Sequence, residues 1–247
     1  MREESRNRYV AKIPFITEKT AQGLKRKTIL YLFSVKEGRR RFLYFLKKPK
    51  CFLRLIYSLL RKNKNYRQQD SCFFFDCSSF DEFFDLTQKT PDSLFVFGLS
   101  YCQKPRECPR GRFNDKCSFN DKNPICLECP VGKFRPVADE IIIIPTFLYI
   151  ADRFCRLAED NPGKKIFFII TACELSLKMF GDYASVLDLT GIGIRLVGRI
   201  CNTFDAFKLA ERGIKPGETF LEEGVEEDLM RLLKRLNKKK NLPNNAV

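Results

Sequence analysis

The chain has 247 residues, of which 44% are apolar and 24 are phenylalanine, enough for one substantial domain with a buried core. It contains no histidine, which excludes Ser-His and Cys-His catalysis, histidine-ligated zinc enzymes and haem held by a proximal histidine. The net charge of +15 is uneven: residues 1–70 carry 20 Lys and Arg against five acids, whereas residues 71–247 carry 25 of each sign.

The positive excess therefore belongs to an N-terminal arm, spanning 1–70, and the rest of the fold need not bind nucleic acid. Residues 1–40 are basic and weakly patterned, and loose order is expected there. Over 50–62 the residues Phe52, Leu55, Ile56, Leu59 and Leu60 fall at helical spacing, with Arg54, Arg61 and Lys62 off the stripe. The apolar stretch 42–60 is broken by Lys47, Lys48, Lys50 and Arg54 and cannot span a bilayer. Two readings stay open for it. Those cations with Arg61 and Lys62 dock an amphipathic helix on an anionic membrane surface, or its stripe packs on the domain.

A polar linker at 63–70 precedes alternating strand and helix signals. A strand is predicted at 72–76. The capping box Ser79-x-x-Glu82 then opens a helix that runs to about residue 89. Strands follow at 93–100 and 140–145, the second an unbroken isoleucine run suited to a strand covered on both faces. A helix at 146–159, a strand at 165–171 and a helix at 173–180 come next. The glycine-rich run from Thr190 to Gly198 misses the dinucleotide fingerprint and reads as a turn entering a strand at 194–200. Helices at 204–212 and 222–236 end the pattern. Together these predict an α/β domain over 71–217 with a mostly parallel sheet and helices on both faces. It carries a Cys-rich metal-binding insertion at 102–132, and a C-terminal helix and basic tail follow at 218–247.

The insertion carries the chemistry. Cys102, Cys108, Cys117, Cys126 and Cys129 fall within 28 positions as C-x5-C-x8-C-x8-C-x2-C, in a segment rich in proline and charge. A gap of that length inside a domain is usually functional, and without core-forming residues it calls for a staple. Eleven cysteines, an odd number, and no secretory leader point to a reduced, cytoplasmic setting, where a metal is the expected staple. Only Cys126 and Cys129 form a zinc-type knuckle. Cys108 and Cys129 each precede proline, as in ferredoxin motifs. An iron–sulfur cluster of [4Fe–4S] type is the first expectation; zinc and unmetallated thiols remain open. Arg106, Arg110, Arg112 and Lys116 would favour anionic thiolates or an anionic substrate. Cys173 and Cys201 each follow a predicted strand, where ligands bind in open α/β sheets, and are expected on the same edge as the loop. Glu174 beside Cys173 is either a proton carrier or a helix-dipole complement. Cys155 lies in a helix and reads as core, and Cys51, Cys72 and Cys77 read as structural, with a spare-ligand role open for Cys72 and Cys77.

The basic N-terminal segment, the strand leading into Cys102-x5-Cys108-Pro109, the Cys126-x2-Cys129 pair, Ala172-Cys173-Glu174 and Cys201-Asn202-Thr203 occur in a recognisable order. From about 93 to 205 this order resembles the cysteine-rich proteins grouped as domain of unknown function 116, found in archaea and anaerobic bacteria. The resemblance implies Cys102, Cys108, Cys126, Cys129, Cys173 and Cys201 as metal-site residues and implies no reaction. The chain departs from the pattern in having Tyr101 where the family tends to have histidine. It keeps only Cys126 and Cys129 of a denser cysteine run, and has Pro145-Thr146 where a glycine-rich turn is expected.

Three functions follow as expectations. The first is an iron–sulfur protein for electron transfer or cluster-assisted redox chemistry with an unidentified redox partner, Cys173 and Cys201 serving as further ligands or redox thiols. The second is a zinc module whose arm binds nucleic acid by stacking Tyr9, Tyr31, Phe33, Phe42, Tyr44 and Phe45 on bases. The third is a peripheral protein at the inner membrane face.

Overall fold

The uninterrupted apolar runs of the sequence become the parallel centre of a six-stranded sheet. The computed structural model describes residues 13–60 and 65–240. Four helices come first: α1 (Glu18–Ala21), α2 (Leu24–Ser34), α3 (Lys36–Lys47) and α4 (Pro49–Leu60). Next are β1 (Arg67–Gln69), β2 (Cys72–Phe75), α5 (Phe80–Lys89) and β3 (Ser93–Ser100), which runs into a 3₁₀ turn at Tyr101–Gln103. The cysteine loop carries α6 (Pro124–Glu128) and α7 (Pro130–Phe134). It leads to β4 (Glu140–Ile144), α8 (Phe147–Asp160), β5 (Lys165–Ala172), α9 (Glu174–Leu187) and β6 (Leu189–Arg195). A short β7 (Val197–Gly198), α10 (Phe204–Glu211), β8 (Thr219–Phe220) and α11 (Glu223–Lys240) complete the order.

The sheet order is β1-β2-β6-β5-β3-β4. Strands β6, β5, β3 and β4 are parallel, while β2 and β1 extend the sheet antiparallel. Because side chains alternate along a strand, the sheet feeds two cores. Phe73, Phe75, Phe168 and Ile170 face α8, α9, α10 and the helical arm. Phe74, Phe97, Phe167 and Ile169 face α5, α7 and α11. The expected α/β architecture with a mostly parallel sheet is present.

Two expectations are corrected. The run 190–198 is not a turn entering a strand at 194–200; most of it is β6 itself. Its glycines serve packing: a Cβ at Gly191 would sit 2.4 Å from the Phe168 carbonyl oxygen, and one at Gly193 would sit 2.6 Å from Leu177. A strand that must admit aromatic neighbours this closely reads locally as a turn. Residues 18–40, which fall in the segment expected to be loose, are largely helical. Tyr31 of α2 packs edge-on against Phe207 of α10 at 5.5 Å, and Phe45 of α3 against Tyr183 of α9 at 5.7 Å. Contacts to residues more than a hundred positions away leave no periodic trace in the arm.

Candidate functional site

Neighbouring strands β3 and β5 send their connections in opposite directions, β3 toward β4 and β5 toward β6, which opens a crevice at their carboxyl ends. The Ser100 amide donates to Thr171 Oγ1 across it at 3.1 Å. Cys102 in the 3₁₀ turn, Cys173 at the N-cap of α9 and Cys201 beyond β7 line one cavity there of about 60 Å³. Cys173 is partly exposed; Cys102 and Cys201 are buried.

Electrostatics separate these thiols. A hydrogen bond between Cys201 and Cys173, together with Ser176 and Lys215, outweighs burial and draws the Cys173 thiol well below its ordinary range. Ser176 Oγ lies 3.1 Å from Cys173 Sγ. The same thiol–thiol bond and burial push Cys201 far up, and burial raises Cys102. Lys215 is held in place by donating to the Pro145 carbonyl at 2.7 Å, with its ammonium 4.9 Å from the centre of the Tyr101 ring. Glu211 accepts from the Phe147 and Leu148 amides at 2.7 and 3.1 Å, and burial raises its carboxyl above the usual range. Thr219 Oγ1 is buried at the cavity wall with no hydrogen-bond partner among the described residues.

The other four predicted ligands form a second group. Cys108, Cys117, Cys126 and Cys129 line a small cavity of about 20 Å³, walled by residues such as Pro109, Phe119, Val131 and Ile143. The local sequence explains how they meet. Lys104, 2% exposed, donates from Nζ to the carbonyls of Asn114 at 2.8 Å and Lys116 at 3.1 Å, folding the loop back on itself. Arg112 donates to the Cys102 carbonyl at 2.8 Å. Asn123 caps α6, which carries Cys126, and Cys129 is at once its C-cap and the N-cap of α7. Phe134 of α7 stacks on Phe97 of β3 with centroids 4.0 Å apart and rings 2° from parallel, tying the loop to the sheet. Burial raises the Cys117 and Cys129 thiols, and neighbouring cysteines add to the effect. Among the described residues no group of three or more His, Cys, Asp or Glu is gathered closely enough to form a ready metal site. The donor chemistry nonetheless fits a thiophilic metal: four thiols, no carboxylate in the wall, and Lys104 as a nearby cation.

The seven predicted metal-site cysteines thus divide as four in the loop cavity and three at the strand ends. The two cavities are neighbours, since Cys102 lines one and Lys104 the other, and Ile144 and Ile143 do likewise. Cys155 is core, with Sγ 2.7 Å from the Tyr183 hydroxyl. Glu174 pairs with Lys178 at 2.7 Å, and its Oε2 is buried with no hydrogen-bond partner among the described residues. Arg106 and Arg112 both reach Glu218, and Arg110 reaches Ser118.

Of the anionic-surface candidates, Lys47, Lys48 and Lys50 are exposed, and Arg54 pairs with Asp188 at 3.1 Å. Arg61 and Lys62 lie outside the described residues, as does Tyr9. Tyr31 and Phe45 are turned into the domain interface. Sequence reasoning missed Lys215, Ser176, Thr219 and Lys104. Only Ser176, one turn into a helix opened by a cysteine, left any signal. No family model, curated protein or solved structure matches the chain, so what the protein does has to be read from these two groups of thiols.

Proposed function

We propose that the protein is a metal–thiolate redox protein. In this reading Cys108, Cys117, Cys126 and Cys129 hold an iron–sulfur cluster that serves electron transfer or cluster-assisted redox chemistry. The observation that carries this is the shared cavity of those four side chains, which stand in two separate parts of an irregular loop. Bound there, a cluster supplies one-electron transfer. The chain supplies four thiolates, the exposed Cys117 among them, the buried Lys104 as countercharge, and an apolar wall of Phe119, Val131 and Ile143. Proline after Cys108 and Cys129 favours iron over zinc. Protein purified without oxygen should be brown, absorb broadly near about 400 nm and contain iron. Cys126→Ala or Cys129→Ala should abolish iron retention and Cys155→Ala should preserve it. A colourless protein holding one zinc, or one holding no metal, overturns the assignment.

A second reading concerns the arm, and a specific observation favours it. Among the described residues, nine of the fourteen large apolar side chains left exposed lie between Leu30 and Leu60, interspersed with Lys47, Lys48, Lys50 and Arg54. Leu53, Ile56, Tyr57 and Leu60 of α4 face outward, while Cys51 and Leu55 pack on the domain. Apolar side chains set among cations suit an anionic bilayer surface. No helix among the described residues is long and apolar enough to cross a membrane. Co-sedimentation with vesicles of anionic lipid, absent with neutral vesicles, is the expected result; equal recovery with both discards it. Stacking on nucleic acid is less favoured, because Tyr31 and Phe45 are already packed inside.

A further inference from the structure

We propose that the strand-end cavity is a thiol–disulfide exchange site, in which Cys173 attacks a substrate disulfide and Cys201 resolves the mixed disulfide. The proposal goes beyond the cluster reading and does not depend on what the loop holds.

The roles follow from placement. Cys173 and Cys201 line the same small cavity, and each thiol shifts the ionisation of the other, which places the two side chains side by side. Cys173 is a partly exposed residue and Cys201 is 7% exposed, and both line the cavity. An attacking thiol must be reachable, whereas a resolving thiol need only reach its partner. Cys173 opens the fourteen-residue helix α9, where the helix dipole favours negative charge on sulfur, and Ser176 Oγ stands 3.1 Å away. Lys215, fixed by its bond to Pro145, adds a positive charge that acts on all three thiols. Thr219 Oγ1, buried in the wall without a partner among the described residues, is free to hydrogen-bond a bound group. The cavity of about 60 Å³ admits the sulfur end of a substrate rather than a whole large molecule.

The chemistry balances within the pair. The Cys173 thiolate forms a bond to one substrate sulfur, and the other leaves as a thiolate and takes up the proton that Cys173 had released. Cys201 then attacks the Cys173 sulfur. The substrate bond to Cys173 breaks, and the second substrate sulfur leaves with the proton from Cys201. One substrate disulfide is reduced to two thiols, and the protein dithiol is oxidised to one disulfide.

The test uses the full reduced chain and 2-hydroxyethyl disulfide under argon, read by non-reducing peptide mass mapping. The wild type should release two equivalents of 2-mercaptoethanol and carry a Cys173–Cys201 linkage. Cys201→Ser should release one equivalent and stop with the adduct on Cys173. A wild type with no such linkage, or a Cys201→Ser chain with Cys173 unmodified, overturns the proposal. In case the variant fails to fold, alkylation of the wild type by iodoacetamide at pH 7 is a second readout. Cys173 should react at least about tenfold faster than Cys102 and Cys155, since each unit of thiol pKa is tenfold in thiolate; equal rates overturn it. Iron measured on the same samples separates the two proposals. Exchange without iron removes the cluster reading alone, and iron without exchange removes this one alone.

Discussion

If the loop cavity holds a metal, replacing Gly132 by alanine should prevent its retention, although Gly132 is not itself a ligand. Gly132 is the third residue of α7, and a Cβ there would lie 2.0 Å from the carbonyl oxygen of Cys126 and 3.0 Å from a Phe119 ring carbon. A normal carbon-to-oxygen contact is about 3.3 Å, so the two short helices must part by about 1.3 Å. The ring of Phe119 can turn aside; the backbone of α6 cannot. Nor can α7 retreat freely, because Phe134 is stacked on Phe97 and is 1% exposed. Strain of this kind costs about 1–3 kcal/mol, which for a chain of this length lowers the melting temperature by about 2–12 °C. The effect on the metal is larger, since ligand distances tolerate only about 0.2 Å, and Cys126 and Cys129 sit on the elements being forced apart. The assay is iron content after anaerobic reconstitution, alongside a circular-dichroism melt of the metal-free chain. Full iron content with an unchanged melt would refute the claim that the close approach of α6 and α7 sets the ligand positions.

Three further outcomes are expected. Lys215→Ala removes the fixed cation beside Cys173, so its thiol rises toward the ordinary value and the pH profile of its alkylation moves to higher pH. The rate at pH 7 should fall by up to about tenfold, and an unchanged profile would show that Cys201 and Ser176 suffice. Phe134→Ala removes a fully buried ring from the second core and should cost about 3–5 kcal/mol in urea denaturation; a loss under about 1 kcal/mol would mean that the stack with Phe97 does not hold the loop. Arg54→Glu replaces a half-exposed ion pair with Asp188 by two like charges. Folding stability should change by no more than about 1 kcal/mol, while binding to anionic vesicles weakens; undiminished binding would count against a membrane role for α4.

What was legible in the sequence was what local pattern can encode. The isoleucine run of β4 and the run KIFFIIT of β5 announced central strands because both of their faces are covered. Ser79 announced α5 because its hydroxyl accepts from the Glu82 amide at 3.1 Å. The Glu82 carboxylate departs from the expected box by turning to Ser78 instead, accepting from its amide at 2.7 Å. The cysteine spacing marked a site, and its two-way division was not legible, since Cys102 precedes Cys108 by only six positions yet faces the other cavity. A metal, the staple expected from sequence, is not what alone shapes the loop, because Lys104 and Arg112 already donate into loop carbonyls. Such a buried cation looks, in sequence, like any other loop lysine. Lys215 was invisible for a similar reason: it reaches the thiols only because β8 pairs with β7, placing Thr219 opposite Gly198 and drawing the preceding segment over the strand ends.

The adjacency of the two thiol groups follows from topology rather than from their spacing. Strand β3 must turn toward β4 on one side while β5 turns toward β6 on the other, so nothing in the sheet itself fills the gap between their ends. The cysteine loop leaves β3 at that gap, and its first residues have the gap on one side and the loop interior on the other. Cys102 faces the gap and Lys104, two residues on, faces the loop cavity. A charge change in the loop group would act on Cys173 across the boundary where Cys102 and Ile144 line one cavity and Lys104 and Ile143 the other. If the loop holds a cluster, reducing it by one electron should raise the Cys173 thiol and slow its alkylation. Oxidised and reduced samples alkylating Cys173 at equal rates would show that the two groups share an edge of the sheet and nothing more.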